Sequence, residues 1–213
     1  EIYEEALKQP QIAGISIATR PDCLPLKILD LLVSLKERYP TKDIWVELGL
    51  QTSHDTTAAY IRRGYKLEVF DTAVAALKER NIPVVVHVIL GLPGETEDMV
   101  LQTIQYLNKL PIFGIKLQLL HVLKDTDLAD DYLSGKFETL SKDDYMALLI
   151  TCLKNLSPDI VIHRLTGDGP KDLLIAPIWS LYKRDFFNTL HRHLKQTGEY
   201  QGQNYTLGGK DGI

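Results

Sequence analysis

The chain has 213 residues, of which 45% are hydrophobic and 24% are charged, a composition that excludes a disordered or fibrous protein. Its formal net charge of -4 excludes an overall basic field, so a nucleic-acid partner would need a local basic patch. No apolar run approaches the roughly 18 residues that cross a bilayer, and residues 1–8 lack the pattern of a signal peptide. We therefore expect a cytoplasmic protein without a membrane partner.

Five short runs rich in β-branched residues predict strands, namely Ile12 to Thr19, Ile44 to Leu50, Val84 to Leu90, Ile115 to Leu120 and Ile160 to Ile162. The first four are nearly all apolar, which is typical of strands covered on both faces. Between them, the helical period of apolar residues predicts helices over Leu26 to Tyr39, Leu67 to Arg80 and Met99 to Leu110. This alternation predicts parallel strands with right-handed crossovers, in an open α/β sheet or a β/α barrel.

Capping residues mark two helix starts, because Thr96 and Ser141 each precede acidic residues that favour a helix N-terminus. After Lys124 the pattern changes to a polar turn region, one long helix, a strand and the loop Thr166 to Pro170. We therefore predict two regions, residues 1–124 and an appended region of residues 125–213. The Gly-rich and polar tail from Gly198 to Ile213 is predicted to be loosely ordered.

Polar groups follow three successive predicted strands. The runs are Ala18 to Cys23, Glu47 to Thr52 and His87 to Thr96. Because the loops after the strands form the open face of a β/α barrel, these groups are candidates for a functional site.

Four motifs occur in a fixed order: T-R-P-D from Thr19, E-x-G-x-Q from Glu47, R-G at Arg63 and G-L-P-G-E-T from Gly91. Together they resemble the radical S-adenosylmethionine (SAM) superfamily, most closely the branch of coproporphyrinogen dehydrogenase and the elongator catalytic subunit. The resemblance covers roughly Ile12 to Leu123. It implies a partial β/α barrel of parallel strands with a C-terminal α/β extension.

A narrower resemblance extends toward the C-terminus. The runs that begin at His121 and His163 are similar to those of a bacterial subfamily of radical SAM proteins.

The resemblance also implies contacts to SAM. Gln51 would meet its ribose or methionine part, and Arg63 would pair with its carboxylate. His87 occupies a position where relatives with Asp bind the ribose hydroxyls. The backbone from Gly91 through Leu92 to Gly94 would approach the adenine, because glycine permits close contact.

Arg20 and Glu47 complete the candidate cofactor-binding residues. Each also has a structural interpretation: Arg20 as a clamp on the neighbouring loop, and Glu47 as a buried carboxylate satisfied by hydrogen bonds. Gly91 to Gly94 by itself is most often only a turn.

The sequence departs from the family pattern at Ala18, Arg62 and Tyr65, where Glu, Asn and His are usual. The C-x-x-x-C-x-x-C motif that holds the iron-sulfur cluster does not occur, and Cys23 and Cys152 are too distant to replace it. Two explanations stay open: an upstream segment carries the motif, or the chain is a relative that lost the cluster. The start without Met, inside a predicted helix, favours the first.

By resemblance, the complete protein would bind a 4Fe-4S cluster and SAM, with an electron donor such as flavodoxin or ferredoxin, and would generate a 5′-deoxyadenosyl radical. The elongator likeness implies a tRNA base, such as a wobble uridine, as substrate. The alternatives are a cluster-free nucleotide- or RNA-binding relative and a porphyrin-directed radical SAM oxidoreductase.

Candidate substrate residues lie after Leu120. His121 and His163 at strand ends are candidates to line a cavity, although a lone His on an apolar strand is often a core residue. Arg164 precedes a Gly-rich loop that can approach an anion. The basic amphipathic stretch from Lys183 to Lys195 is either a solvated helix face or an RNA-contacting surface.

Overall fold

The structure is a computed structural model that describes residues 2–206. The strands are β1 (Gly14–Thr19), β2 (Asp43–Gln51), β3 (Val84–Leu90), β4 (Gly114–Leu119), β5 (Val122–Leu123), β6 (Val161–Arg164) and β7 (Leu174–Ala176). The helices are α1 (Ile2–Leu7), α2 (Leu26–Arg38), α3 (Asp55–Tyr60), α4 (Leu67–Glu79), α5 (Glu97–Leu107), α6 (Asp127–Leu133), α7 (Lys142–Asn155) and α8 (Lys183–Thr197). Short 3-10 helices span Pro21–Cys23 and Ile178–Tyr182.

Five parallel strands form the main sheet in the order β1-β2-β3-β4-β6. The register pairs Ala18 with Glu47, and Glu47 with Val85. The predicted α/β fold with adjacent parallel strands is therefore confirmed. β6, which we predicted in the appended region, completes this sheet beside β4.

The faces of β2 differ sharply. Ile44, Val46, Leu48 and Leu50 are buried on one face, and helices α2 and α4 contact this strand. The alternate positions are Trp45, Glu47 and Gly49, and their neighbours in the sheet include Ser16, His87 and Lys116. The expectation that the strands are apolar on both faces is therefore wrong, because one face carries polar groups.

The chain divides into two compact units. Unit 1 contains the residues up to Val88 together with Lys109–Lys116 and Val161–His163. Unit 2 contains Ile89–Asn108, Leu117–Ile160 and the residues from Arg164 onward. A boundary at Lys124 stays a prediction.

Within unit 2, α5 and α7 pack together, and β5 pairs antiparallel with β7. The rings of Tyr145, Trp179 and Phe186 lie 5.5–5.6 Å apart and form an aromatic core. The Thr96 and Ser141 hydroxyls accept hydrogen bonds from the first turns of α5 and α7, as predicted.

The C-terminal tail is ordered where the structure describes it. Gln201 Nε2 donates to the carbonyls of Ser157 and Ile160 at 2.7 and 2.8 Å, and the Asn204 amide donates to Lys154. The prediction of loose order is therefore wrong for this part, while residues 207–213 lie outside the described residues. Among residues 2–206, no helix has the length and apolar character to cross a membrane.

Candidate functional site

Glu47 is the centre of a polar network on one face of the sheet. Its side chain is only 8% exposed, and its carboxylate accepts hydrogen bonds from the Ser16 hydroxyl and the Lys116 ammonium group. The Nε2 atom of His87 lies 2.6 Å from Glu47 Oε2. Four neighbouring strands, β1 to β4, therefore each contribute one polar group to the network.

The network keeps Glu47 ionised. Burial acts to raise the pKa of this carboxyl, but hydrogen bonds from Lys116, Ser16 and His87 outweigh it and lower the pKa to about 2. A carboxylate buried this deeply needs such partners, because an isolated buried charge is strongly unfavourable. Glu47 is therefore both a buried, satisfied carboxylate and a fixed negative charge on the polar face.

Gln51 ends β2 in an unusual conformation. Its φ is 66°, and the register between β2 and β3 shifts between Gly49 and Gln51. A Cβ atom at Gly49 would lie 2.7 Å from Gln51 Nε2, so a larger residue there would make this side-chain amide move. Gln51 Oε1 is buried and has no hydrogen-bond donor among the described residues, which leaves a free acceptor at the end of the strand.

Arg63 is mainly occupied by backbone carbonyls, and its pairing with the SAM carboxylate stays a prediction. Its side chain is 1% exposed, and Nη1 donates to the carbonyls of Leu50 and Thr52 at 3.2 and 2.7 Å. Its Nε donates to the Tyr65 carbonyl at 3.1 Å. Nη2 makes no hydrogen bond within the described chain but lies 3.6 Å from an oxygen of Asp55. Most of this guanidinium therefore supports the backbone after β2.

Arg20 belongs to the same neighbourhood through Tyr65. Arg20 and Arg63 both lie over the Tyr65 ring, at 5.2 and 5.1 Å from its centre, and the Tyr65 hydroxyl donates to the Gly49 carbonyl. Burial raises the pKa of Tyr65, which stays protonated and able to donate. Arg20 also forms a two-bond ion pair with Asp22, at 2.7 and 2.9 Å. Its geometry matches the clamp interpretation, and a contact with SAM stays a prediction.

His163 lies on unit 1 close enough to Lys116 and Glu47 for their charges to act on its pKa. Its ring is 6.2 Å from that of Trp45 and 5.7 Å from that of Phe113, and a Cβ at Gly114 would lie 2.5 Å from it. Burial and the nearby Lys116 lower its pKa, so the ring is neutral near pH 7. His163 therefore packs over glycine among aromatic rings, near the amino-terminal ends of β2 and β4.

The remaining candidates belong to unit 2. Gly91 has a φ of 84°, and a Cβ there would lie 2.9 Å from Leu140 Cδ1, so this glycine is structurally required. Leu92 is buried. A contact between this turn and adenine stays a prediction.

His121 packs against the Gly-rich loop of unit 2. A Cβ at Gly167 would lie 2.9 Å from its ring, and His121 Nε2 is 3.2 Å from the Ser180 hydroxyl. Burial and the Lys183 charge lower the pKa of His121. The glycines therefore make room for this ring.

Arg164 and Lys183 meet on one carboxylate of the same loop. Arg164 Nη1 lies 3.5 Å from Asp168 Oδ2, and Lys183 Nζ donates to Asp168 Oδ1. Arg164 thus lies beside the loop, as predicted, and it contacts the side chain of Asp168 in that loop.

Sequence reasoning missed Ser16 and Lys116. Each is a polar residue at an alternate position of an otherwise apolar strand, and this alternation was the available signal. No group of three His, Cys, Asp or Glu side chains within residues 2–206 is arranged to hold a metal ion. Cys23 is exposed and Cys152 is buried, with its pKa raised by burial to about 12.

Comparison with known proteins gives two family matches and several relatives. The chain matches the Radical SAM superfamily over residues 1–107 and the Radical_SAM C-terminal domain over residues 112–196. It is 42% identical to the uncharacterized protein YtqA of Bacillus subtilis (strain 168), over 95% of this chain and 62% of the relative. It is 26% identical to human Elongator complex protein 3, over 78% of this chain and 30% of the relative.

A solved structure has the same fold. The archaeal Elp3 of Methanocaldococcus infernus, with an N-terminal deletion, superposes with a TM-score of 0.74 at 17% identity, over 89% of this chain and 43% of that one. The chain thus spans less than two thirds of the length of the curated relatives it matches. The ordered motifs, the parallel sheet and the two family matches agree, and the chain belongs to the radical SAM superfamily.

Proposed function

We propose that the full-length protein containing this chain is a radical SAM enzyme that modifies a base of tRNA, with a wobble uridine as the leading substrate. Family membership supports the chemistry, and the likeness to Elongator complex protein 3 supports the choice of substrate. The observation that carries the proposal is the polar sheet face, where the ionised Glu47 holds His87 and Lys116. A cytoplasmic location and a flavodoxin or ferredoxin donor belong to the same proposal.

Free hydrogen-bonding capacity at the end of β2 fits the methionine part of SAM. Gln51 Oε1 is a buried acceptor without a donor, which suits an ammonium group. Arg63 Nη2 is a buried donor without a hydrogen bond, which suits one carboxylate oxygen. Because Nε and Nη1 of Arg63 are occupied by backbone carbonyls, we assign this residue mainly to holding the loop.

The cluster does not fit this chain. Cys23 and Cys152 lie in different units, one exposed and one buried, and the described residues contain no group of metal-binding side chains. Its cysteine ligands would therefore come from outside these 213 residues. SAM bound in the full-length protein would supply radical chemistry, and residues of this chain at the end of β2 would hold its methionine part.

The chain's own residues would supply position and charge. Glu47 fixes His87 and Lys116 against the sheet, so their remaining donors and acceptors have defined directions. The Tyr65 hydroxyl and Arg63 hold the carbonyls of Gly49, Leu50 and Thr52, and thereby set the strained backbone at Gln51.

The test uses the full-length protein, reconstituted without oxygen and reduced with dithionite. We expect 5′-deoxyadenosine, and SAM binding about ten-fold weaker in Gln51→Leu, because a hydrogen bond to a charged group is lost. Gln11→Leu, an exposed residue of unit 1, is the matched control and should bind SAM normally. A reconstituted protein that makes no 5′-deoxyadenosine and binds no SAM would refute the chemistry and favour a cluster-free binding protein.

The substrate is tested separately. Nucleosides of tRNA from cells without the gene should lack a wobble-uridine modification by mass spectrometry, and the gene should restore it. Unchanged tRNA together with accumulated porphyrin would instead favour the porphyrin-directed enzyme.

A further inference from the structure

A cavity of about 640 Å³ lies in unit 2, beside the first turn of α8. Its lining includes Asp168 of the Gly-rich loop, Ser180 and Tyr182 of the 3-10 helix, and Lys183, Arg184 and Asn188 of α8. Tyr182 is 67% exposed and presents much of its ring to the surroundings. The cavity thus combines cations, neutral hydrogen-bonding groups and an aromatic ring.

Two cations contact Asp168, which lines this cavity, and one of them, Lys183, lines the cavity as well. Arg164 comes from the end of β6 and Lys183 from the start of α8, and both contact Asp168. Asp168 is 68% exposed, whereas the Lys183 side chain is 31% exposed. Ion pairs this open to water contribute little to stability, so water or another anion can displace the carboxylate.

The pair of cations is incompletely neutralised. Burial, and then the charge of Arg164, lower the pKa of Lys183, so the two positive groups repel each other even beside Asp168. A backbone phosphodiester carries one negative charge, like the carboxylate, and has two unesterified oxygens that can accept from both cations. A phosphate can therefore replace the carboxylate of Asp168 at these two cations.

The backbone on both sides of Asp168 is held in place. The Tyr145 hydroxyl donates to the Leu165 carbonyl at 2.9 Å, and Gly167 and Gly169 lie against the His121 ring. Thr166 and Gly167 are buried. The Asp168 side chain can consequently rotate away from the cations without movement of the loop that carries it.

Positive charge extends from the cavity along α8. Arg184, Arg192 and Lys195 are exposed on α8, and among residues 2–206 they take part in no ion pair. Arg184 and Arg192 are two helical turns apart, about 12 Å along the axis. This row continues the positive charge away from the cavity, as a nucleic-acid backbone would require.

We propose that Arg164 and Lys183 form a binding site for a backbone phosphate of the nucleic-acid substrate. Asp168 occupies this phosphate site until the substrate displaces it. The Tyr182 ring then lies where the adjoining base can stack. This inference rests on the proposed function, because it assigns the substrate of that enzyme to a surface of unit 2.

The test measures binding of a single-stranded ribo-oligonucleotide to the full-length protein, with adenosine monophosphate and inorganic phosphate as separate probes. Asp168→Asn should bind the oligonucleotide about three- to ten-fold more tightly, since the competing carboxylate is gone. Lys183→Met and Arg164→Met should bind it about ten-fold more weakly, since each removes a charge-assisted contact. Asp185→Asn is the matched control, because Asp185 also lines the cavity but pairs with Lys142.

An equal gain in oligonucleotide affinity in Asp168→Asn and Asp185→Asn would overturn the proposed phosphate site, since the gain would then reflect net charge alone. Unchanged or weaker binding in Asp168→Asn would also overturn it. A gain in Asp168→Asn that is larger for the oligonucleotide than for adenosine monophosphate supports a nucleic-acid backbone, and an equal gain for both identifies a free nucleotide as the phosphate source.

Formation of 5′-deoxyadenosine without RNA should be the same in all these variants. A result that refutes the phosphate site is therefore distinguishable from a result that refutes the proposed enzyme activity.

Discussion

Glu47 and Asp168 have similar partners and opposite surroundings. Each carboxylate contacts two basic side chains, His87 and Lys116 in unit 1, and Arg164 and Lys183 in unit 2. Glu47 is 8% exposed and Asp168 is 68% exposed. Burial makes the first group a permanent part of the fold, because its charge cannot be left without partners. Exposure makes the second group exchangeable, because water can replace its partners.

The largest expected effect is the loss of the buried charge. Glu47→Gln leaves the Lys116 ammonium group largely buried without its counter-charge, and we expect the free energy of unfolding of the full-length protein to fall by about 3–5 kcal/mol. Asp168→Asn should change it by less than about 1 kcal/mol. Urea unfolding checks both values, and similar losses in the two variants would contradict the role we give to burial.

A second expected effect is a pH dependence of the free energy of unfolding in the acid range. The folded-state pKa of Glu47 is about 2, below its ordinary value of 4.5. Because this pKa is depressed, the stabilisation is fully present above pH 4.5 and is lost as the pH falls toward 2; its full size is on the order of 3 kcal/mol. Unfolding free energies measured through this window should show a slope in the wild type that Glu47→Gln reduces, and the remaining slope comes from other carboxyls with a lowered pKa, such as Glu199. Identical slopes in the two proteins would exclude Glu47 as the source.

Arg63 extends the comparison to a buried cation. Arg63→Met removes three hydrogen bonds to backbone carbonyls, and we expect a loss of about 2–3 kcal/mol in unfolding free energy together with weaker SAM binding. Arg63→Lys should not restore either value, because a single ammonium group cannot reach these acceptors as a fork does. Arg62→Met, at the exposed neighbour, is the control. Full stability in Arg63→Met would refute the supporting role.

The smallest expected effect concerns His121. Burial and Lys183 hold its folded-state pKa below the ordinary value of 6.5, so the unfolded chain binds more protons as the pH falls below 6.5, and stability is lost in that direction. Lys183→Met should move the His121 pKa upward, which a proton NMR titration of the ring can follow. If the His121 pKa is the same in Lys183→Met, the charge of Lys183 does not act on His121.

Local patterns in the sequence predicted most of the elements. Apolar periodicity placed α2 and α4 to within a residue of their ends, and the Thr96 and Ser141 caps were recognisable because they act within one turn. The ordered motifs at Arg20, Glu47 and Gln51 indicated the family. These features depend on residues close together in the chain, so they are readable without a structure.

Only the tertiary structure decided which polar groups meet. Glu47 and Lys116 are 69 positions apart, and Lys183 and Asp168 are 15 apart, so neither pair has a local signature. The contact of Arg63 with the SAM carboxylate stays a prediction, whereas the folded chain shows that the carbonyls of Leu50, Thr52 and Tyr65 take up most of its donors. Burial is set by strands and helices that pack from distant parts of the sequence. For that reason the sequence by itself determined the fold family, whereas the packing decided which charges are fixed and which are free to exchange partners.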